Sequence, residues 1–129
     1  MPLMNHTAFP DKVASGEKRQ SIRKRRKAGE FEYNKPIYHY AGLRTRNCRK
    51  LLEAVCSSVK PIVILASGIV KVDGRRLTRA EVALLASRDG FDSVRAFFDY
   101  FTLGRRKTLR KNFLGNLIEW HPLKEHWLQ

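Results

Sequence analysis

The chain has 129 residues, with 26 Lys and Arg against 12 Asp and Glu, a formal net charge of +14, and 43% hydrophobic and 10% aromatic residues. This is one domain's worth of chain with material for a single core, which excludes a compositionally disordered protein. No apolar run is long enough to cross a bilayer, and the charge makes phosphate the first partner to expect, ahead of an anionic membrane surface.

The opening "MPLMNHTAFPDKV" lacks the charged, apolar and small-residue regions of a signal peptide, so a cytoplasmic location is expected. Cys48 and Cys56 read as reduced, packed thiols. With no CxxC pair and only the scattered His6, His39, His121 and His126, no metal site and no cofactor are expected. "TAFPDKVASGEK" predicts a short helix with Pro10 in its first turn and Gly16 as its stop. "RQSIR" reads as a short strand, and "KRRKAGEFEYNKP", which has no apolar period, as an exposed basic loop. "IYHYAGL" alternates like a strand, with Tyr38 and Tyr40 expected to share its inward face. "LLEAVCSSV" and, beyond Pro61, "IVILASGIVKV" predict two or three buried strands.

The period then changes. Thr78 and Glu81 form a capping box ahead of "VALLA", a helix ending near Gly90. "FDSVRAFFDYF" starts another helix capped by Asp92 or Ser93, with Phe97, Phe98 and Phe101 near one face as core. "LGRRKTLRK" is a second basic turn or loop, and "NFLGNLIEW" a closing strand. The outline is α+β, with five or six strands curled into a small barrel and three helices packed around it. Residues 1–8 form an extension, 9–121 the domain and 122–129 a tail.

Basic residues crowd the segment from Gly16 to Lys50, with Tyr33, Tyr38 and Tyr40 among them. Cations that neutralise a backbone beside rings that stack on bases suit RNA or single-stranded DNA. The residues assigned to this contact are Arg19, Arg23, Lys24, Arg25, Arg26, Lys27, Tyr40, Arg44, Thr45, Arg46, Arg105, Arg106 and Lys107. In "GLRT", Gly42 allows a close backbone approach while Arg44 and Thr45 offer a guanidinium fork and a hydroxyl to a phosphate. No obligate protein partner is evident.

"SGEKRQSIR", "YHYAGLRTRNCRKL", "EAVCSSVKPIVI", "RDGFDSVRAFFDYF" and "FLGNLIEW", in this order from about Phe9 to Trp120, resemble the successive blocks of an ASCH domain, a member of the PUA-like superfamily. The GxKxxTxR-like start is the most specific element. The resemblance implies a small β-barrel whose cleft takes RNA, a nucleotide or a modified nucleoside. It also implies the amidohydrolase activity of some members on N4-acetylcytidine, which uses a lysine, a threonine and a glutamate, or the ribonuclease activity assigned to others. By position, Lys18 matches the lysine and Arg23 the motif's arginine; Ser21 replaces the threonine and Asp89 stands about where the glutamate would lie, with Glu53 and Asp92 as alternative acids. A hydroxyl becomes a useful nucleophile once a base takes its proton, and the neighbouring cations are expected to lower the Lys18 pKa toward that role. A binding module without chemistry, gripping RNA through the loops 23–27 and 105–111, is the alternative from another class.

Overall fold

The computed structural model describes residues 2–26, 29–103 and 109–123. In chain order its elements are β1 (Leu3–Asn5), α1 (Pro10–Ser15), β2 (Gln20–Arg23), β3 (Pro36–Ala41), β4 (Arg49–Ile64), β5 (Val70–Val72), β6 (Arg75–Arg76), α2 (Arg79–Arg88), α3 (Val94–Phe98), a π-helical turn (Asp99–Leu103) and β7 (Phe113–Pro122). Among the described residues no helix is long and apolar enough to cross a membrane.

The fold is α+β, built on one seven-stranded sheet. Long β4 carries antiparallel β7 along one edge; the other edge holds β3 at its first half and β5 at its end. β2 extends the sheet beyond β7, and β1 lies parallel on β3. Among the described residues no pairing joins β2 to β1 or β6, so the sheet is open where a closed barrel was expected. The extra strands β1 and β6 have three and two residues, too few for alternation to announce them. Residues 2–8 supply β1 and, with His6, Thr7 and Ala8, part of a pocket wall.

Three further expectations are corrected. Cys48 is exposed, and of the two cysteines only Cys56 is a packed thiol. Pro61 does not divide the apolar stretch, because β4 runs through it. The Pro61 carbonyl accepts the Asp73 N–H (2.8 Å) where β5 pairing ends, so the edge its missing N–H would serve lies beyond the ladder. On β3 the inward residues are Ile37, His39 and Ala41, while Tyr38 and Tyr40 are half-buried on the opposite face. The pleat permits only one parity to face the core, and Ile37 with Ala41 fixes which.

The core has two parts. Beneath the first half of β4, Trp120, Met4, Ile37, Ala54 and Val13 of α1 pack together. Beneath the second half, Ile62, Ile64, Val70 and Leu117 meet Val82, Leu85 and Ala86 of α2 and Phe97 of α3, with Phe98 and Phe101 against them. The predicted capping box opens α2, with the Glu81 N–H donating to Thr78 Oγ1 (3.2 Å). Ser93 caps α3, which gives way after Phe98 to the π-helical turn. The described residues of the basic loop after β2 form no helix or strand, but Phe31 within it is buried beneath the Arg26 guanidinium (4.4 Å).

Candidate functional site

The start of β2 and the end of α2 meet above the sheet. Gly16 stops α1 in a left-handed conformation, so the chain turns back and Lys18 and Ser21 enter the interior, each no more than 5% exposed. α2 ends in a Schellman motif, the Gly90 N–H donating to Ser87 O and the Phe91 N–H to Ala86 O (both 3.0 Å). This leaves Asp89 as the C-cap with its carboxylate turned inward, 3% exposed. Gly90 is required twice: its φ is +106°, and a Cβ there would lie 2.7 Å from the Phe9 ring. Phe9 itself precedes Pro10 yet sits at φ 57°, ψ 42°, a strained conformation for an aromatic residue before proline. Its ring covers Lys18 Nζ at 5.3 Å and packs edge-on against Phe91 at 5.2 Å.

These residues surround a pocket of about 100 Å³ lined by Lys18, Ser21, Arg23, Asp89, His6 and the aromatic side chains Phe9, Phe91, Tyr100 and Phe101. Lys18 Nζ stands 3.9 Å from Asp89 Oδ2. Gln20 steadies the carboxylate, its Nε2 donating to Asp89 Oδ1 (3.3 Å) and to Leu85 O (3.4 Å). Burial pulls the Lys18 pKa below its ordinary value and pushes that of Asp89 above its own, each opposed by the partner's charge. The Lys18 shift has the expected direction, but burial leads it and Arg23 adds to it. Arg19 contributes nothing there, being exposed with its Nε bonded to Gly16 O. Burial thus works on both groups toward their neutral forms, and the attraction between their charges works against it.

Arg23 Nε donates to Ser21 Oγ (2.8 Å), which fixes the serine rotamer and leaves its own O–H free to donate. Arg23 Nη2 donates to His6 Nδ1 (3.2 Å), and His6 Nε2 lies 2.8 Å from His39 Nδ1, both rings being buried. Burial, with Arg23 beside them, lowers His6 to a pKa of about 2 and His39 to about 3. The two rings meet edge to edge, 26° from coplanar with centroids 5.0 Å apart, and His39 leans on Trp120 at 4.2 Å.

Lys18, Ser21, Arg23 and Asp89, far apart in sequence, are thus brought together. Of the alternative acids, Glu53 pairs with Lys50 near the surface, and Asp92 lines a neighbouring depression that also reaches Lys18. Lys24, Arg25, Arg44, Thr45 and Arg46 are exposed outside the pocket. The Thr45 hydroxyl donates to Gly42 O (2.6 Å), closing its own turn. The Leu43 N–H donates to Asn5 Oδ1 (2.9 Å), tying this turn to the strand that leads into His6. Tyr40 pairs with Asn5 across β3 and β1. Lys27, Arg105, Arg106 and Lys107 lie outside the described residues. The sequence reading missed His6, His39, Gln20 and Tyr100; only the inward parity of His39, opposite to the two tyrosines, was available to reveal one of them.

No family model, curated protein or solved structure matches the chain.

Proposed function

We propose that the protein is an ASCH-type domain, its open sheet corresponding to that family's small barrel, and that it binds RNA or a nucleotide and hydrolyses an amide of a modified nucleoside such as N4-acetylcytidine. The observation that carries this reading is the convergence of Lys18, Ser21 and Asp89 on one aromatic-walled pocket, with the lysine and the acid buried 3.9 Å apart. Burial makes each group a better proton-transfer agent near neutral pH than it is in water.

In the reaction this geometry favours, the neutral Lys18 amine takes the Ser21 proton as Oγ attacks the acyl carbonyl. The tetrahedral intermediate then expels the base's amino nitrogen, which receives a proton from the Lys18 and Asp89 pair. Water, deprotonated by Lys18, releases the acyl group from Ser21 as a carboxylic acid and restores the hydroxyl. Ser21 and Lys18 are not hydrogen-bonded to each other, so bound substrate must draw them together. Phe9, Phe91 and Tyr100 line the pocket and supply aromatic surface against which a base ring would pack.

The test is release of cytidine from N4-acetylcytidine by the purified protein, by Lys18→Ala and by Ser21→Ala. Turnover by the wild type, with a loss of at least ~100-fold in each variant and unchanged folding, supports the reading. Absence of turnover by the folded wild type rejects hydrolysis of this substrate. RNA retention would then point to the binding module and RNA shortening to a ribonuclease.

A further inference from the structure

Arg23 is a partly buried guanidinium at the pocket wall, and among the described residues no carboxylate lies within 4.0 Å of it. Arginines removed from water are ordinarily paired with an acid, because the desolvated charge needs an opposite one. Here the anchors are a serine and a histidine. Since every guanidinium N–H is a donor, His6 Nδ1 must accept, and His6 carries its proton on Nε2. That proton points to His39 Nδ1, which must also accept, leaving the His39 proton on Nε2, a buried atom that meets no acceptor among the described residues. Both rings are neutral by the logic of the chain of hydrogen bonds, in agreement with the lowering of both pKa values.

The chain holds Arg23 in place without cancelling its charge. Two of its five N–H groups are engaged, and the others meet no protein acceptor among the described residues. Among the described residues Asp89 is the one carboxylate lining the pocket and its charge acts on both Lys18 and Arg23, so the two cations leave the pocket an excess of one positive charge. We propose that the His6 and His39 pair is a positioning device that presents Arg23 as an anion subsite, the pocket taking a carboxylate-sized anionic group or the oxyanion that develops on a substrate carbonyl. A buried acid in place of His6 would anchor the arginine as firmly and abolish this capacity. His6 and His39 are accordingly positioning residues, and Arg23 is the group that meets the ligand.

The proposal rests on the same pocket as the hydrolytic reading but not on its chemical step, and a small anion tests it directly. Acetate is titrated against isotope-labelled protein at constant ionic strength, following the Arg23 Nε–H and the backbone amides of Ser21 and Ile22 by NMR; acetamide, of the same shape without the charge, is the reference. Saturable shifts with acetate and at least ~10-fold weaker binding of acetamide are expected. Arg23→Gln should abolish the acetate response at the backbone amides. His6→Asn, which keeps a neutral acceptor, should stay within about threefold of the wild type, and His6→Asp should lose about tenfold or more, because its carboxylate satisfies the guanidinium. Equal binding of acetate and acetamide by the wild type overturns the proposal without any variant; so does undiminished acetate binding by folded His6→Asp. Acetate binding of this kind with no release of cytidine keeps the subsite and rejects the hydrolytic reading, whereas turnover without acetate binding does the reverse.

Discussion

The buried histidines make the stability of this protein sensitive to acid. In the unfolded chain each titrates near 6.5; in the folded state His6 does so at about 2 and His39 at about 3, with Arg23 beside both and Lys18 near His6. Between those limits the unfolded state binds the extra protons, so stability is full above about 6.5 and declines as pH falls toward the folded values. From about pH 7 to about pH 5 each histidine should withdraw about 2 kcal/mol, visible as a falling urea midpoint. His39→Gln, which removes one of the two groups, should lose roughly half as much over the same interval. An equal loss in both proteins would mean that another group carries the acid sensitivity. The Lys18 and Asp89 pair behaves differently, since each member compensates the other. Lys18→Met leaves the Asp89 carboxylate buried without its cation and should destabilise by about 3 kcal/mol; adding Asp89→Leu should recover part of that, a coupling that a double-mutant cycle in urea measures.

The end of α2 shows how one turn serves both the fold and the pocket. Gly90 closes the Schellman motif, accepts Lys12 Nζ at its carbonyl (2.8 Å) and lies under the Phe9 ring. Gly90→Ala must hold an alanine at φ +106° and drive a methyl group into Phe9, so a loss of about 2 kcal/mol or more is expected in chemical denaturation. Phe9 roofs Lys18, so the same change should alter the chemical shifts of pocket residues in the protein that remains folded. Much at this scale was legible in the sequence. Pro10 and Gly16 bound α1, the Thr78 and Glu81 box opens α2, and Ser93 caps α3, because such signals are local and act through the chain's own backbone. Less legible were features decided across the sheet. The parity of Tyr38 and Tyr40 depends on what Ile37 packs against, the passage of β4 through Pro61 depends on where β5 ends, and the sheet's openness depends on pairings between strands far apart in sequence. For the pocket, Lys18, Ser21, Arg23 and Asp89 were marked by their likeness to a family pattern. His6 entered it only because parallel pairing sets β1 beside β3, a contact no local signal encodes.

Across the whole molecule the charge and the pocket occupy different places. Among the described residues, most of the cations assigned to nucleic acid from the sequence are exposed, Arg19 before β2, Lys24 and Arg25 after it and Arg44 and Arg46 in the turn after β3, whereas the pocket holds one lysine and one arginine. On the proposed reading, this separation predicts two binding modes with different salt laws. A nucleoside in the pocket meets few phosphate-binding cations and should bind with little dependence on salt. A single-stranded RNA crossing the exposed cations releases counterions, and its affinity should fall with a slope of about 0.7 per phosphate neutralised when the logarithm of the binding constant is plotted against that of the salt concentration. Replacing Lys24, Arg25, Arg44 and Arg46 together by Ala should therefore flatten the slope for a single-stranded RNA by up to about 3 and weaken binding alike for different sequences, with nucleoside turnover unchanged. Arg23→Gln should do the opposite, sparing most of the salt slope while removing the small-molecule response, because its charge is committed to the pocket. If the fourfold variant and Arg23→Gln instead weakened both responses in parallel, strand and nucleoside would share one continuous surface. The described boundary between the buried Arg23 site and the exposed loops would then have no functional meaning.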